Sequence, residues 1–510
     1  MRRVVRQLAL SLALLLAGPG AAGAAEKVFA FHLTGPPDTL DPAKCNNVRC
    51  QRVMWPLFEP LINLSKDLRV PVPGLAEHWQ ASADGLTWTF RLRRGVAFHD
   101  GAPFDAVAAK LNLERNFLPG ARFYTARPPN VREKLLAGLI QEVRVQDTHT
   151  LVVTLKAPKV NLLFFVPMVS PDALARWGER VGESPVGTGP FRFARRTADE
   201  IRLAANLAYW GGRPRLDGLV FRIVPTSERA TQDLLAGRLD FLPEVEPNHL
   251  ERIIASPSAR LIRTPTLSLY YLGFRTDLRP FDDRRVRAAV RRAVDVERAV
   301  LFTGRGMGVP AWGPLPPGVD GHDPELRRAW HDPAAARELL AAAGHDRGLR
   351  VTLAFNAGWG FFAELAHAIR ADLARVGVTV ELLPLSTYQE LVRAVREGRA
   401  ELFMYNWLIP SADPEAWLVP LFRTGSVDNL TRYSSPAVDR LLEEARLAND
   451  AEQRLARYRA AQRAIVEDAP MVFLFHEVRV SAVRTRVVGL DLNPQSYPVD
   501  RFVTVDLQGD

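Results

Sequence analysis

Apolar and polar positions alternate with period two over residues 27–35 and again in LTWTFRLRR, residues 86–94, which predicts half-buried strands at both places. LIQEVRVQDTHTLVVTLKAP keeps the same period on both sides of Asp147–His149, the pattern of a hairpin. Beyond Leu349 the period changes. LRVTLAFNAG predicts a strand, FFAELAHAIRADLARVG a helix stopped by Gly377, VTVELLPL a strand, STYQELVRAVREGR a capped helix, and ELFMYNW a third strand. Such βαβαβ alternation with short connections implies parallel strands joined by right-handed crossovers. Ligands of open parallel sheets sit outside the carboxyl ends of the strands. The third strand ends in Tyr405, Asn406 and Trp407.

Helix punctuation agrees with this division. In HDPAAARELLAAAGHD, Asp332 is placed to accept backbone N–H bonds, Pro333 stands at the first helical position, and Gly344 suits the left-handed cap. In RPFDDRRVRAAVRRAVDVERAV, Val286, Val290, Ala293 and Val294 share one helical face behind Asp282 and Asp283.

Length and composition add a second level. A chain of 510 residues, 47% hydrophobic, exceeds what one compact domain usually carries, so more than one lobe is expected. No fixed-period repeat or low-complexity run interrupts it. Arg2, Arg3 and Arg6 precede the apolar run LALSLALLLAG and the small residues Ala22-Gly23-Ala24, so residues 1–24 read as a cleavable secretory signal. The other strongly apolar stretch, LLFFVPMV at 162–169, is short and broken by Pro167. No Cys stands at the cleavage point to carry a lipid, and the expected location is the periplasm.

The formal charge is +9, and three of the positive charges sit in the signal. Lys and Arg interleave with Asp and Glu along the rest, which describes a solvated surface and no nucleic-acid partner. The two cysteines, Cys45 and Cys50 in CNNVRC, are expected to form a disulfide in an oxidising compartment. Closing so short a loop contributes about 2 kcal/mol by chain entropy, so its use is to shape Asn46 and Asn47 locally. No metal site is expected, because the cysteines have no further soft ligands nearby and His476 in FLFHEVRV has no second His four residues on. There is no G-x-S-x-G and no P-loop, and the GTG of VGTGPF runs into Pro190 instead of a helix start. Neither catalytic residues nor a cofactor is expected.

Several stretches in order along the chain carry a family resemblance: TLDPA at 39–43, LFEPLINL at 57–64, PGLAEHWQASADGLTWTFRLRRGVAFHDGAPFDA at 73–106, VGTGPFRF at 186–193, YYLGFRTDLRPFDDRRVRAAV at 270–290 and SSPAVDRLLEEAR at 434–446. Each is weak alone, and the ordered set is specific. The chain resembles the bacterial extracellular solute-binding proteins of family 5, the peptide, nickel and glutathione receptors of ABC importers. The resemblance implies an α/β, two-lobed periplasmic binding protein of type II with an extra inserted domain, closing on a hinge. It divides the chain into a discontinuous first lobe (25–62, 188–268 and 478–510), an inserted domain (63–187) and a second lobe (269–477). The implied partners are a small-molecule or peptide ligand and a membrane permease complex, and the implied state is a monomer.

Peptide-binding members that pair a free ammonium carry an Asp three residues after the strand-end Trp. Here that position is Pro410. An unpaired buried ammonium is costly, so peptides with a free amine are expected to bind poorly. Asp413 lies three residues further on; it reads either as a substitute ligand residue or, more simply, as a helix cap ahead of Pro414 and Glu415. From the first lobe, the resemblance brings Asn46 and Gln51 toward the ligand. Trp312 in VPAWGPLPPG is either a lid over the cleft or a packing residue. Amides with Tyr405 and Trp407 suit a neutral, hydrogen-bonding solute such as a small peptide, an amide-rich molecule or a sugar-like compound. A ligand-responsive sensory or chaperone-like protein is the alternative, and a secreted peptide hydrolase a more distant one.

Overall fold

A computed structural model of the protein describes residues 26–45, 47–125, 138–157, 166–304, 308–327, 330–358, 360–409, 411–448 and 450–509. The secretory signal expected at 1–24 therefore lies outside the described residues.

The βαβαβ unit forms as its periods predict. Strands Leu349–Asn356, Val378–Leu385 and Leu402–Leu408 alternate with helices Gly360–Ala374 and Tyr388–Arg396. Leu349–Asn356 is the middle strand and pairs parallel with both others. Thr387 and Glu390 close a capping box at the second helix, so its first N–H groups are satisfied before packing begins. Along Leu402–Leu408 the side chains alternate faces: Phe403 and Trp407 join one apolar cluster, Leu402 and Met404 another. The hairpin also forms, with Ile140–Asp147 antiparallel to Thr150–Leu155 in a separate sheet of four strands.

The helix expected behind Asp282 and Asp283 forms, with Val286, Val290, Ala293 and Val294 in one apolar cluster, and a second helix follows it. The stretch RPFDDRRVRAAVRRAVDVERAV is two helices, Arg284–Ala293 and Val296–Gly304. Asp283 caps the first through the Arg285 N–H at 2.8 Å, and Asp295 accepts the Arg298 N–H at 3.0 Å to start the second. A short polar side chain competing for backbone donors breaks the run that the apolar period continued.

Two halves meet on one strand. Met471–Arg484 pairs through its first part with Ser268–Phe274 and Gly308–Pro310, beside the βαβαβ unit. Through its last part it pairs with Ala259–Pro265 and Phe241–Leu242, next to Val28–Leu33 and Gly218–Ile223. Among the described residues the chain passes between the halves at 265–268 and near 477–478. A hydrogen-bonded knot sits there. Thr266 donates its N–H to Glu477 O at 2.9 Å and its hydroxyl to Ser268 Oγ at 2.8 Å, and His476 Nδ1–H donates to Ser268 O at 2.7 Å.

The GTG of VGTGPF serves packing. A Cβ at Gly187 or Gly189 would collide with the backbone oxygens of Leu57 and Pro56, so only glycine lets these segments approach. His99 Nε2–H donates to Gly189 O at 2.9 Å and Nδ1 accepts from Gly187 N, which ties the four-stranded domain to the first half.

Burial pulls both His99 and His476 down to about 4 from the ordinary 6.5. Because the folded value is the lower one, the stability these neutral rings contribute is intact above pH 6.5 and is lost as pH falls toward 4. For His476, which is 4% exposed, the loss at the acid limit is roughly 3 kcal/mol. Urea unfolding at pH 7 and pH 4 should show this fall, and His476→Asn should flatten it while lowering stability at pH 7. An unchanged slope in that variant would assign the acid sensitivity to other groups.

Candidate functional site

A cavity of about 330 Å³ opens between the Val48–Met54 helix, the hairpin of Ile62–Leu64 and Pro71–Pro73, and the C-terminal segment 493–501. Asn47 starts the helix by accepting the N–H groups of Arg49 and Cys50 at 3.0 and 3.2 Å. Cys45 and Cys50 are joined as a disulfide across this turn, with their Cα atoms 6.0 Å apart. The entry to the helix is thereby pinned. Four residues apart on one helical face, Gln51 and Trp55 both line the cavity.

The Trp55 ring stacks on Tyr497 at 5.3 Å and 21° and donates its N–H to Pro498 O at 2.8 Å. Tyr497 in turn donates its hydroxyl to Gln51 Oε1 at 3.2 Å. The lining is rich in amides: Gln51, Asn63, Asn116, Asn493 and Gln495. Asn493 also folds its own loop, its Oδ1 accepting the Tyr497 N–H at 3.1 Å. Beside the cavity, Arg479 donates to Gln495 O at 3.0 Å and to Glu477 at 3.2 Å, and Arg52 donates to Glu244 at 2.8 Å. Burial pushes the Glu244 carboxyl upward, but the guanidinium groups of Arg52 and Arg479 outweigh it and hold it at about 2.

The sequence-predicted residues fall into separate places. Gln51 lines the large cavity; Asn46 and Pro410 lie outside the described residues. Trp312 lines a smaller cavity of about 50 Å³ with Trp330 and Phe473. Tyr405, Asn406 and Trp407 line neither cavity. Tyr405 meets Tyr388 edge-on at 5.3 Å, and the Tyr388 hydroxyl donates to Asn406 Oδ1 at 2.7 Å, with both predicted residues half-buried. Trp407 is 7% exposed within the core and donates to Ala416 O at 3.3 Å. Asp413 accepts the Glu415 N–H at 3.0 Å and pairs with Arg454 at 2.7 Å, so helix start and ion pair both engage it. Neighbouring Trp417, wholly buried, donates to Ser411 O at 2.9 Å.

Sequence reasoning passed over Trp55, Asn493, Gln495, Tyr497 and Arg501. The run NPQSYPVDRF carries the same signal as the strand end at 405–407, amides beside an aromatic ring in a proline-punctuated segment. Its weight was hidden because the partners lie about 440 positions away, as in the Tyr497 to Gln51 bond, separated by 446 residues.

Two α/β halves sharing one strand, a separate four-stranded domain and an amide-lined cavity define a two-lobed periplasmic binding protein with an extra domain. The chain belongs to the bacterial extracellular solute-binding proteins of family 5, whose description "family 5 Middle" matches residues 70–429. It is 31% identical over 473 residues to the glutathione-binding protein GsiB of Pectobacterium atrosepticum, covering 90% of each chain. It is 29% identical over 512 residues to di/tripeptide-binding protein 2 of Pseudomonas aeruginosa, covering 95% of this chain and 96% of the relative. Among solved structures, HbpA2 of Haemophilus parasuis superposes with a TM-score of 0.85 at 25% identity, covering 94% of this chain and 100% of the other. The periplasmic binding protein DppA of Helicobacter pylori, in complex with the peptide STSA, superposes with a TM-score of 0.79 at 26% identity, covering 94% and 98%.

Two tryptophan variants separate packing from binding. Trp407→Ala is expected to lower stability by about 3–5 kcal/mol, as deletion of a buried aromatic does. Trp55→Ala is expected to keep the fold and weaken solute binding by roughly 2 kcal/mol. Urea unfolding reads the first and titration calorimetry the second. Wild-type stability in Trp407→Ala would place that ring outside the core.

Proposed function

We propose that this protein is the substrate-binding component of an ABC importer in the periplasm. It captures a small peptide or peptide-like, amide-rich solute between its lobes and delivers it to an inner-membrane permease. It acts as a monomer and performs no chemistry on the solute. The observation that carries this reading is the amide lining. Peptide groups present N–H donors and C=O acceptors together, and Gln and Asn side chains offer both complements at one position. The stacked Trp55 and Tyr497 add an apolar wall.

Relatives named for binding glutathione and di/tripeptides support the same solute class. A hydrolase would need a general base, and among the described residues no Asp, Glu or His lines the cavity.

In this reading the half-buried Tyr405 and Asn406 supply contacts from the second lobe, with Trp407 packed behind them. Solute bound on the first-lobe side gains these contacts only when the halves approach, so it stabilises the closed state by its differential affinity. The absence of acids from the lining also disfavours a solute ammonium, in line with Pro410 at the position where peptide-binding relatives of this type carry an Asp.

Mass spectrometry of the protein purified from periplasm should release a peptide or amide-rich compound. In calorimetry, di- and tripeptides with acetylated amino ends should bind at least as tightly as their free-amine forms. Submicromolar binding confined to free-amine peptides would contradict this account of the site.

A further inference from the structure

The large cavity carries positive charge that its own lining leaves unanswered. Lys66 and Arg501 line it, and among the described residues no Asp or Glu does. Lys66 is exposed and already paired with Asp491 at 2.6 Å. Arg501 is different. It is 5% exposed, lies 4.0 Å over the Trp55 ring, and donates to the Trp55 and Phe58 carbonyls and to Asn63 Oδ1 at 2.9 Å.

Among the described residues no carboxylate stands within ion-pair distance of Arg501. The acid with electrostatic reach, Glu59, is engaged elsewhere: it accepts from Tyr209 at 2.7 Å, Trp210 at 3.0 Å and Thr188 at 2.8 Å. A guanidinium has five N–H groups, and the described contacts use three of them.

Burying a cation on carbonyl and amide acceptors alone carries a desolvation cost that a direct counter-charge would offset. The backbone holds Arg501 in place at further cost. Ser496, Arg501 and Phe502 all adopt left-handed φ angles, of 61°, 57° and 73°. Such strain persists only where surrounding contacts over-determine it, and it clusters at ligand clamps. Here the anchor is Phe502, 1% exposed and packed against Phe29, Phe31 and Phe191 at 5.5, 6.3 and 6.4 Å. Arg501 is thus pre-positioned on a rigid base, facing a cavity of amides.

We propose that Arg501 is the anion-recognition residue of this site, and that the solute carries a carboxylate which seats against its guanidinium, flanked by Asn63. The inference rests on the reading of the cavity as a peptide or peptide-like solute site and adds its charge: an anionic solute with at least one free carboxylate. Arg is suited to the task because its planar fork meets a carboxylate with two parallel N–H groups.

Calorimetry tests this with di- and tripeptides bearing acetylated or free amino ends, each as the free acid and as the C-terminal amide. The free acids should bind wild-type protein at least tenfold more tightly than their amides. Arg501→Gln should abolish that ratio, and Arg501→Lys should keep part of it. Because Arg501 also holds two backbone carbonyls, urea unfolding accompanies each variant, and the wild-type comparison of acid with amide stands without any variant. Equal binding of acid and amide, or a ratio that survives in folded Arg501→Gln, overturns the role of Arg501 and leaves the peptide reading in place. Failure of every peptide in both forms overturns the peptide reading and this inference with it.

Discussion

The structure depends on one strand that belongs to two halves. Met471–Arg484 is 14 residues long, and its partners change midway from one half of the sheet to the other. At the change, Thr266, Ser268, His476 and Glu477 satisfy one another in a largely buried knot. Buried polar groups are expensive unless paired, so this crossing holds one arrangement. Apolar clusters then grow on each side of it, and Leu68 from the turn of the 62–73 hairpin packs into a cluster of the second half. Among the described residues the chain crosses between halves in two places, and motion between them would bend there while each core stays packed.

Electrostatics divides the rest of the molecule from the cavity. Elsewhere, some buried guanidinium groups meet a carboxylate: Arg115 holds Asp41 through two bonds at 2.9 and 3.0 Å, and Arg454 holds Asp413, while Arg287 rests on backbone carbonyls. Those pairs fix segments to each other and have little left to offer a solute. The cavity combines amides, a stacked aromatic pair and a buried guanidinium supported by carbonyl oxygens. In the proposed reading such a site favours hydrogen-bonding solutes and discriminates by charge. Its apolar wall and its polar groups are both set before a solute arrives, which reduces the ordering cost of binding.

The disulfide and the C-terminal loop work toward the same end from segments more than 440 residues apart. Cys45–Cys50 and the Asn47 cap set the start of one short helix. The loop at 493–502 is held in left-handed conformations by its buried Phe502 and by hydrogen bonds from Arg501 to the turn that follows that helix. Gln51, Trp55, Tyr497 and Arg501 are brought together by these two devices. Neither device belongs to the βαβαβ unit that dominates the sequence pattern.

The sequence by itself determined the local elements: the hairpin, the βαβαβ unit, the capping roles of Asp332 and Thr387, and the pairing of the two cysteines. Side-chain direction repeats with the backbone period, so residues that face a core must recur at that period. The break between Ala293 and Val296 was less legible because Asp295 competes with the apolar stripe for the same backbone donors. Only the tertiary structure decided that Trp407 and Asp413 turn inward, toward Ala416 and Arg454, while Trp55 and Arg501 face open space. A cavity is a place where distant segments fail to fill a volume, and that failure has no period along the chain. Its lining joins segments at 42–72, 116–117, 166–167 and 493–501, which meet only in the folded chain.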